Sequence, residues 1–461
     1  MVAIKQFENI RRLYFTIFRP KPFRMKLKFT LIILSIVTFR LTAQHADTLK
    51  TETFSIHAQA TVINQNKTAF SAKYSGDNSL TTNAESQTSI TSTLYLGSRL
   101  WKGASAFINP EIAGGSGLSG ALGIAAATNG ETFRIGDPAP KIYMARMFFT
   151  QTFALSNETT FQASDLNQLA GNLPTKYISV TLGKISISDF FDDNKFSHDP
   201  RTQFMSWGLM SNGAWDYPAN TRGYTPSFVL EYVTSVNELR YAFSLIPTTA
   251  NGSVMNWNVA KASSQTIEYT YRYKIASQEG AVRLLGFFTT GNMGNYRQSI
   301  ALNQVNPKIQ SVEKYGNTKY GFGINAEQNI TNDLGCFFKA SWNDGNTETW
   351  AFTEIDRSAS AGLSMTGDKW KRKNDNVGLA IVVSGISKAH RDYLQAGGNG
   401  FILGDGNLNY GLEQLAEIYY SIALTPDMSL SGTYQLVLNP GYNKDRQGPV
   451  NVFSARLHIR I

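Results

Sequence analysis

The sequence predicts an all-β protein: a transmembrane antiparallel β-barrel of 16 strands, preceded by an N-terminal signal peptide. Three observations carry this. Apolar residues recur at every second position in segment after segment, the period of an extended strand. The alternate face carries full charges, which a watery lumen tolerates. The chain also opens with an export signal, yet no later apolar run approaches the ~20 residues of a membrane helix.

The export signal spans 25–43. Basic Lys26 and Lys28 precede an apolar run from Phe29 to Phe39, followed by Leu41-Thr42-Ala43. The run is too short to cross a bilayer and has the length of a signal-peptide core. Cleavage after Ala43 leaves residues 44–461 as a single barrel domain. Residues 1–24 are open to reading as an over-called extension before an initiator at Met25, and Met1 and Met25 both stay open as the start.

The strands follow. "FSIHAQATV" sets Phe54, Ile56, Ala58, Ala60 and Val62 against Ser55, His57, Gln59 and Thr61. "IEYTYRYKI" sets Ile267, Tyr269, Tyr271, Tyr273 and Ile275 against Glu268, Thr270, Arg272 and Lys274. "YGFGINAEQ", "CFFKASW" and "VGLAIVVSG" alternate more weakly, whereas "EIYYSIAL" and "SLSGTYQLVLN" alternate cleanly. The terminal "NVFSARLHIRI" points Phe453, Leu457, Ile459 and Ile461 to lipid and Arg456, His458 and Arg460 to the lumen. It closes the barrel by pairing with the first strand, so that no edge remains. Only a closed barrel of such strands satisfies its backbone inside a bilayer. The rival, a soluble sandwich, has the opposite polarity. Sixteen strands leave about 26 residues of 44–461 for each strand and connection, enough for ~10-residue strands, short turns and longer outer loops.

Residues 1–43 hold nine of the 43 Lys/Arg and one of the 34 Asp/Glu, so 44–461 carries 34 bases against 33 acids. That near-neutral body gives no electrostatic case for nucleic acid. Cys336 is the only cysteine, which excludes a disulfide framework and a CxxC metal site. No cofactor and no metal are expected. "GSGLSG" fits GxGxxG, but it lacks the parallel βαβ context and reads as a glycine-rich loop. "DGNLNYGLE" resembles a calcium loop with its glycine misplaced and Ala416 where glutamate is required; it reads as a polar turn. "DFFDDNKFSHD" clusters Asp189, Asp192, Asp193, His198 and Asp199 in a spacing that reads as loop or lumen lining. No GxSxG or HExxH is present. His57, His198, His390 and His458 could each pair with a serine.

Three stretches resemble the carbohydrate-selective porins of the OprB type. The first runs from "LYLGSRLWKGASAFINPE" to "NGETFRIGDPAP". The second is "LGKISISDFFDDNKFSHDPRTQFMSWGLMSNGAWDYPANTRGYT". The third joins "WNDGNTETWAFTEIDRSASAGL" and "GDKWKR" to "HRDYLQAGGNGFILGDGNLNYGLEQLAEIYY" and "YQLVLNPGYNKDRQGPVNVFSARLHIRI". Together they span roughly 53–461. The chain departs from the pattern around 300–320, and at Ile461, where outer-membrane barrels usually end in an aromatic residue.

The resemblance implies passive, carbohydrate-selective diffusion through a polar, water-filled lumen in the outer membrane of a Gram-negative bacterium. Its partners are mono- or oligosaccharides, outer-membrane lipid and the barrel-assembly machinery; monomer and trimer both stay open. Lining and sugar-contact candidates from family-matched elements are Glu111, Arg134, Arg146, Asp192, Arg201, Trp215, Asp216 and Arg222, with Arg456 and Arg460 added by strand parity. The transport reading needs no catalytic residue. Its rivals are a barrel enzyme acting on lipid or glycan, marked by a Ser–His contact on the wall, and a soluble sugar-binding β protein.

Overall fold

The structure, a computed structural model, describes residues 50–132 and 139–461. The signal peptide over 25–43, the extension 1–24 and Arg134 lie outside them. Sixteen antiparallel strands close on themselves within the unit Thr51–Ile461. In chain order these are β1 (Phe54–Lys67), β2 (Glu85–Trp101), β3 (Ala104–Gly115), β4 (Lys141–Ala154), β7 (Tyr177–Ile185), β8 (Thr225–Val233), β9 (Asn237–Ser244), β10 (Ser263–Ile275) and β11 (Gln278–Met293). The set continues with β12 (Lys314–Asn329), β13 (Leu334–Asn343), β14 (Arg357–Gly367), β15 (Arg372–Gly385), β16 (Glu413–Thr425), β17 (Met428–Leu438) and β18 (Val450–Arg460). Between β4 and β7 a small separate hairpin, β5 (Thr159–Gln162) and β6 (Gly171–Pro174), stands outside the barrel ladder.

β18 pairs with β1, with Gln59 opposite Arg460 and Lys67 opposite Val452. The terminal strand therefore closes the barrel as its alternation predicts. Parity also holds on β10, where Ile267, Tyr269 and Tyr271 are 50%, 41% and 46% exposed while Glu268 and Thr270 are 1% exposed. The apolar row faces outward and the charged row inward, the arrangement a bilayer selects.

Eight connections leave one end of the barrel: 68–84, 116–140, 186–224, 245–262, 294–313, 344–356, 386–412 and 439–449; the turns at the other end are short except for 155–176. Among the described residues the eight carry the α-helices α1 (Trp207–Met210), α2 (Tyr296–Leu302) and α3 (Lys388–Gln395). "GSGLSG" lies in 116–140 as a turn flanked by antiparallel strands. In "DGNLNYGLE", Asp405 accepts from Tyr74 and Asn443, two other loops.

Several of these loops fold into the barrel. Their apolar residues Ile124, Phe196, Phe204, Leu209 and Ile355 pack with Phe337, Leu415, Tyr419, Val437 and Val452 from the inner wall. That side of the lumen is thus filled by a packed apolar core. Gly335 shows the closeness required: a Cβ there would lie 1.9 Å from the Phe196 ring.

Candidate functional site

The inward rows of β2 and β3 include Thr91, Thr93 and Tyr95, and Phe107, Asn109 and Glu111. On β4, strict alternation would place Tyr143 and Arg146 on opposite faces. A bulge prevents this. Asn109 pairs with Arg146 and Pro110 with Met144, which leaves Ala145 unpaired. One extra residue switches the parity of the strand beyond it, and both side chains enter the lumen. Tyr143 donates to Glu111. Arg146 grips Asp189 through two bonds of 2.6 and 2.7 Å.

Glu111 is completely buried. It accepts from Thr93 Oγ1 at 2.5 Å and from the Tyr224 hydroxyl at 3.0 Å, and lies 3.6 Å from Arg201 Nη2. Arg201 Nε donates to Glu131 at 2.8 Å, and Glu131 also accepts from Thr91 at 2.6 Å. Wall, loop 116–140 and loop 186–224 thus meet in one alternating array of charge. Burial alone would lower the Arg201 pKa. The carboxylates of Glu131 and Glu111 outweigh it and hold the guanidinium well above its usual value. Burial likewise favours the neutral form of Asp199, but the Arg201 charge and amide hold its pKa below the usual range. Arg222 lies over the Tyr143 ring at 3.9 Å, and Arg146 over Tyr224 at 5.1 Å.

Aromatic rings face the same space. Trp207 of α1 stacks on Phe352 with centroids 4.4 Å apart, and Tyr217 lies 5.3 Å from Phe352. A cavity of about 1290 Å³ is bounded by Arg146, Asp189, Arg201 and Arg222, by these aromatics, and by part of the β5–β6 hairpin. Such an array offers donors, acceptors and flat apolar faces to a neutral solute. Within it Arg146 is paired with Asp189 and Arg201 with Glu131, so these charges do not stand bare.

The sequence candidates divide. Arg146, Arg201 and Arg222 line the cavity, with Glu111 just behind them. Arg460 faces the short-turn mouth and pairs with Asp165. The other four hold loops in place. Arg456 is fully buried and donates to the carbonyls of Pro200 and Gln203 at 2.6 and 2.7 Å. Asp192 accepts from Asn212 and Asn325. Asp216 caps the amides of Trp350 and Ala351, and Trp215 packs between Phe191 and Tyr217. Arg456 on the wall is covered by loop 186–224, and Asp192, Trp215 and Asp216 lie within that loop, where their side chains anchor it.

Glu131, Asp189, Trp207, Tyr217 and Phe352 were not among the candidates. Glu131 stands in the NGE element and Asp189 in the acidic cluster, so the sequence held a signal for both. Trp207 and Phe352 meet only when two distant loops fold together. His57 Nε2 lies 2.9 Å from Ser164 Oγ. The pair faces the lumen mouth, joining β1 to the hairpin, whereas a lipid-cleaving barrel needs it on the outer wall.

The family model for carbohydrate-selective porins, OprB family, matches residues 77–460. Among solved structures, OprB of Pseudomonas putida at high pH aligns at 15% identity with TM-score 0.67, covering 88% of this chain and 94% of its own. The outer membrane channel DcaP of Acinetobacter baumannii aligns at 9% identity and TM-score 0.49, covering 88% and 97%. No curated protein sequence matches the chain significantly.

Proposed function

Because this chain belongs to the carbohydrate-selective porin, OprB family, a family of passive sugar channels of the Gram-negative outer membrane, we propose that its sugar path runs through the cavity between Arg201 and Trp207. One observation carries the assignment. A charge array closed by Arg201, Glu131, Arg146 and Asp189 shares a single cavity with the Trp207, Phe352 and Tyr217 rings.

A sugar has hydroxyls around its rim and an apolar ring face. Guanidinium and carboxylate groups exchange hydrogen bonds with the rim, and the aromatic rings accept the face. Since Arg146 and Arg201 are already paired with Asp189 and Glu131, a passing sugar borrows their bonds rather than meeting a bare ion, and release stays fast. The outward apolar rows contact outer-membrane lipid. Transport on this reading forms and breaks no covalent bond. His57 and Ser164 serve to tie the hairpin to the wall.

The test is a planar-bilayer recording of the purified protein with glucose and longer oligosaccharides. The expected result is a steady conductance that sugar reduces in a saturable way. A protein that forms no channel, or one whose current ignores every sugar, would refute the assignment.

A further inference from the structure

The short-turn end holds an unexplained feature. Its other connections are brief, at 102–103, 234–236, 276–277, 330–333, 368–371 and 426–427, whereas residues 155–176 form the β5–β6 hairpin. In outer-membrane barrels the short turns face the periplasm. We propose that this hairpin is a second selectivity filter for uncharged sugars, in series with the Arg201 site and lined by carboxamides. The proposal rests on the channel reading above.

The first argument is position. The hairpin leaves the wall between β4 and β7 and is pinned to β3, β2, β1 and β18 in turn. Asn109 of β3 donates to Asn167 Oδ1 at 2.9 Å. Arg99 of β2 donates to the Ala170 carbonyl at 3.1 Å. Ser164 meets His57 of β1, and Asp165 pairs with Arg460 of β18. Crossing from β4 to β18 passes four strand spacings, roughly 20 Å of wall. A segment spanning that distance lies across the mouth rather than beside it.

The second argument is rigidity. Next to β1, Glu52 and Ala170 exchange bonds: the Glu52 amide donates to the Ala170 carbonyl at 3.0 Å, and the Ala170 amide to Glu52 Oε2 at 2.8 Å. Asn167 sits at φ 54°, a left-handed conformation that asparagine tolerates better than most residues. These ties make the hairpin a fixed collar, not a swinging flap.

The third argument is chemistry. The cavity that touches Arg201 and Trp207 continues to Gln162, Asn167, Gln168 and Asn172. Carboxamides offer both donors and acceptors and carry no charge. The Asp165 charge is met by Arg460. A solute leaving the Arg201 site therefore meets a hydrogen-bonding aperture of carboxamides on the hairpin, with Arg99, Lys102 and Glu231 on the wall around it, before the periplasm. Size and hydroxyl content decide passage there.

The experiment replaces residues 156–175 with Asn-Gly, a dipeptide suited to a two-residue hairpin, because Leu155 already donates to the Lys176 carbonyl at 2.8 Å. Folding is checked by heat-modifiable gel mobility. Liposome swelling across oligosaccharides of increasing length should show the cutoff move up by at least one sugar unit. Conductance should rise about twofold or more as one of two series constrictions is removed. Asn172→Trp, in full-length chain, should move the cutoff down, and keeps the proposal testable if the trimmed barrel does not fold. A wild-type protein with no sugar-dependent current overturns the channel reading itself. A wild-type channel that blocks with sugar, alongside variants keeping its cutoff and conductance, overturns only the filter.

Discussion

The two sides of the barrel interior share one strand pattern and do different work. Along β12 to β18, inward polar residues are spent on loop backbone. Glu417 accepts from the amides of Met205 and Ser206 at 2.6 and 3.0 Å, and Glu413 from Ala125 and Ala126. Lys339 donates to the carbonyls of Ser197 and Met210, and Asn343 to those of Ala214 and Ile355. Along β2, β3, β4 and β7, inward residues such as Tyr95, Phe148, Thr150 and Thr181 border open space. A polar residue inside a barrel is thus not by itself a pore residue. What matters is whether a loop end needs its hydrogen bonds.

The comparison can be broken hardest on the packed side. Glu417→Ala strands two buried amides and the Gln435 amide that also donates to it, each at a cost of about 1–3 kcal/mol. Loop 186–224 should come loose, become a protease target and leave a wide channel that sugar no longer blocks. Limited proteolysis with bilayer recording reads both, and a digestion pattern like the wild type's would contradict the anchoring role.

On the open side the effect should fall on affinity rather than architecture. Arg201→Ala removes the cation shared by Glu131 and Glu111. Sugar block should weaken about tenfold, equivalent to ~1.4 kcal/mol, measured as the concentration giving half-maximal block. Trp207→Ala removes one face of the Phe352 stack and should weaken block about fivefold, or ~1 kcal/mol, with little change in open conductance.

The smallest effect concerns the outer loops. Glu348 is buried and accepts from the Gly294 amide at 2.6 Å. Burial pushes its pKa up to about 8. A raised carboxyl pKa favours the neutral form in the folded state. Its stabilisation is complete below the free glutamate value, near ~4.3, and is lost as pH rises through about 8. Proteolysis of 344–356 should therefore speed up over that window, and Glu348→Gln should flatten the dependence. A variant as pH-sensitive as the parent would assign the effect to another group.

How much of this was legible in the sequence follows the range of the forces involved. Period-two alternation is local, and it determined the barrel wall, the outward face of Ile267 and Tyr269, and the closure of β18 on β1. Alternation misplaces Arg146 against Tyr143, because a bulge at Ala145 shifts parity without leaving a composition signal. It also treats Arg456 and Arg201 alike, as inward or loop cations.

The sequence by itself determined the strands, their two faces and the family that those strings resemble. Only the tertiary structure decided which inward residues meet a loop and which border the cavity, and that a hairpin at the short-turn end is tied to β3, β2, β1 and β18. Arg456 is claimed by the carbonyls of Pro200 and Gln203, far along the chain, while Arg201 is carried by the same loop into the cavity. The physical reason is that a buried carbonyl or amide must find a partner wherever folding takes it, and a local pattern holds no record of that destination.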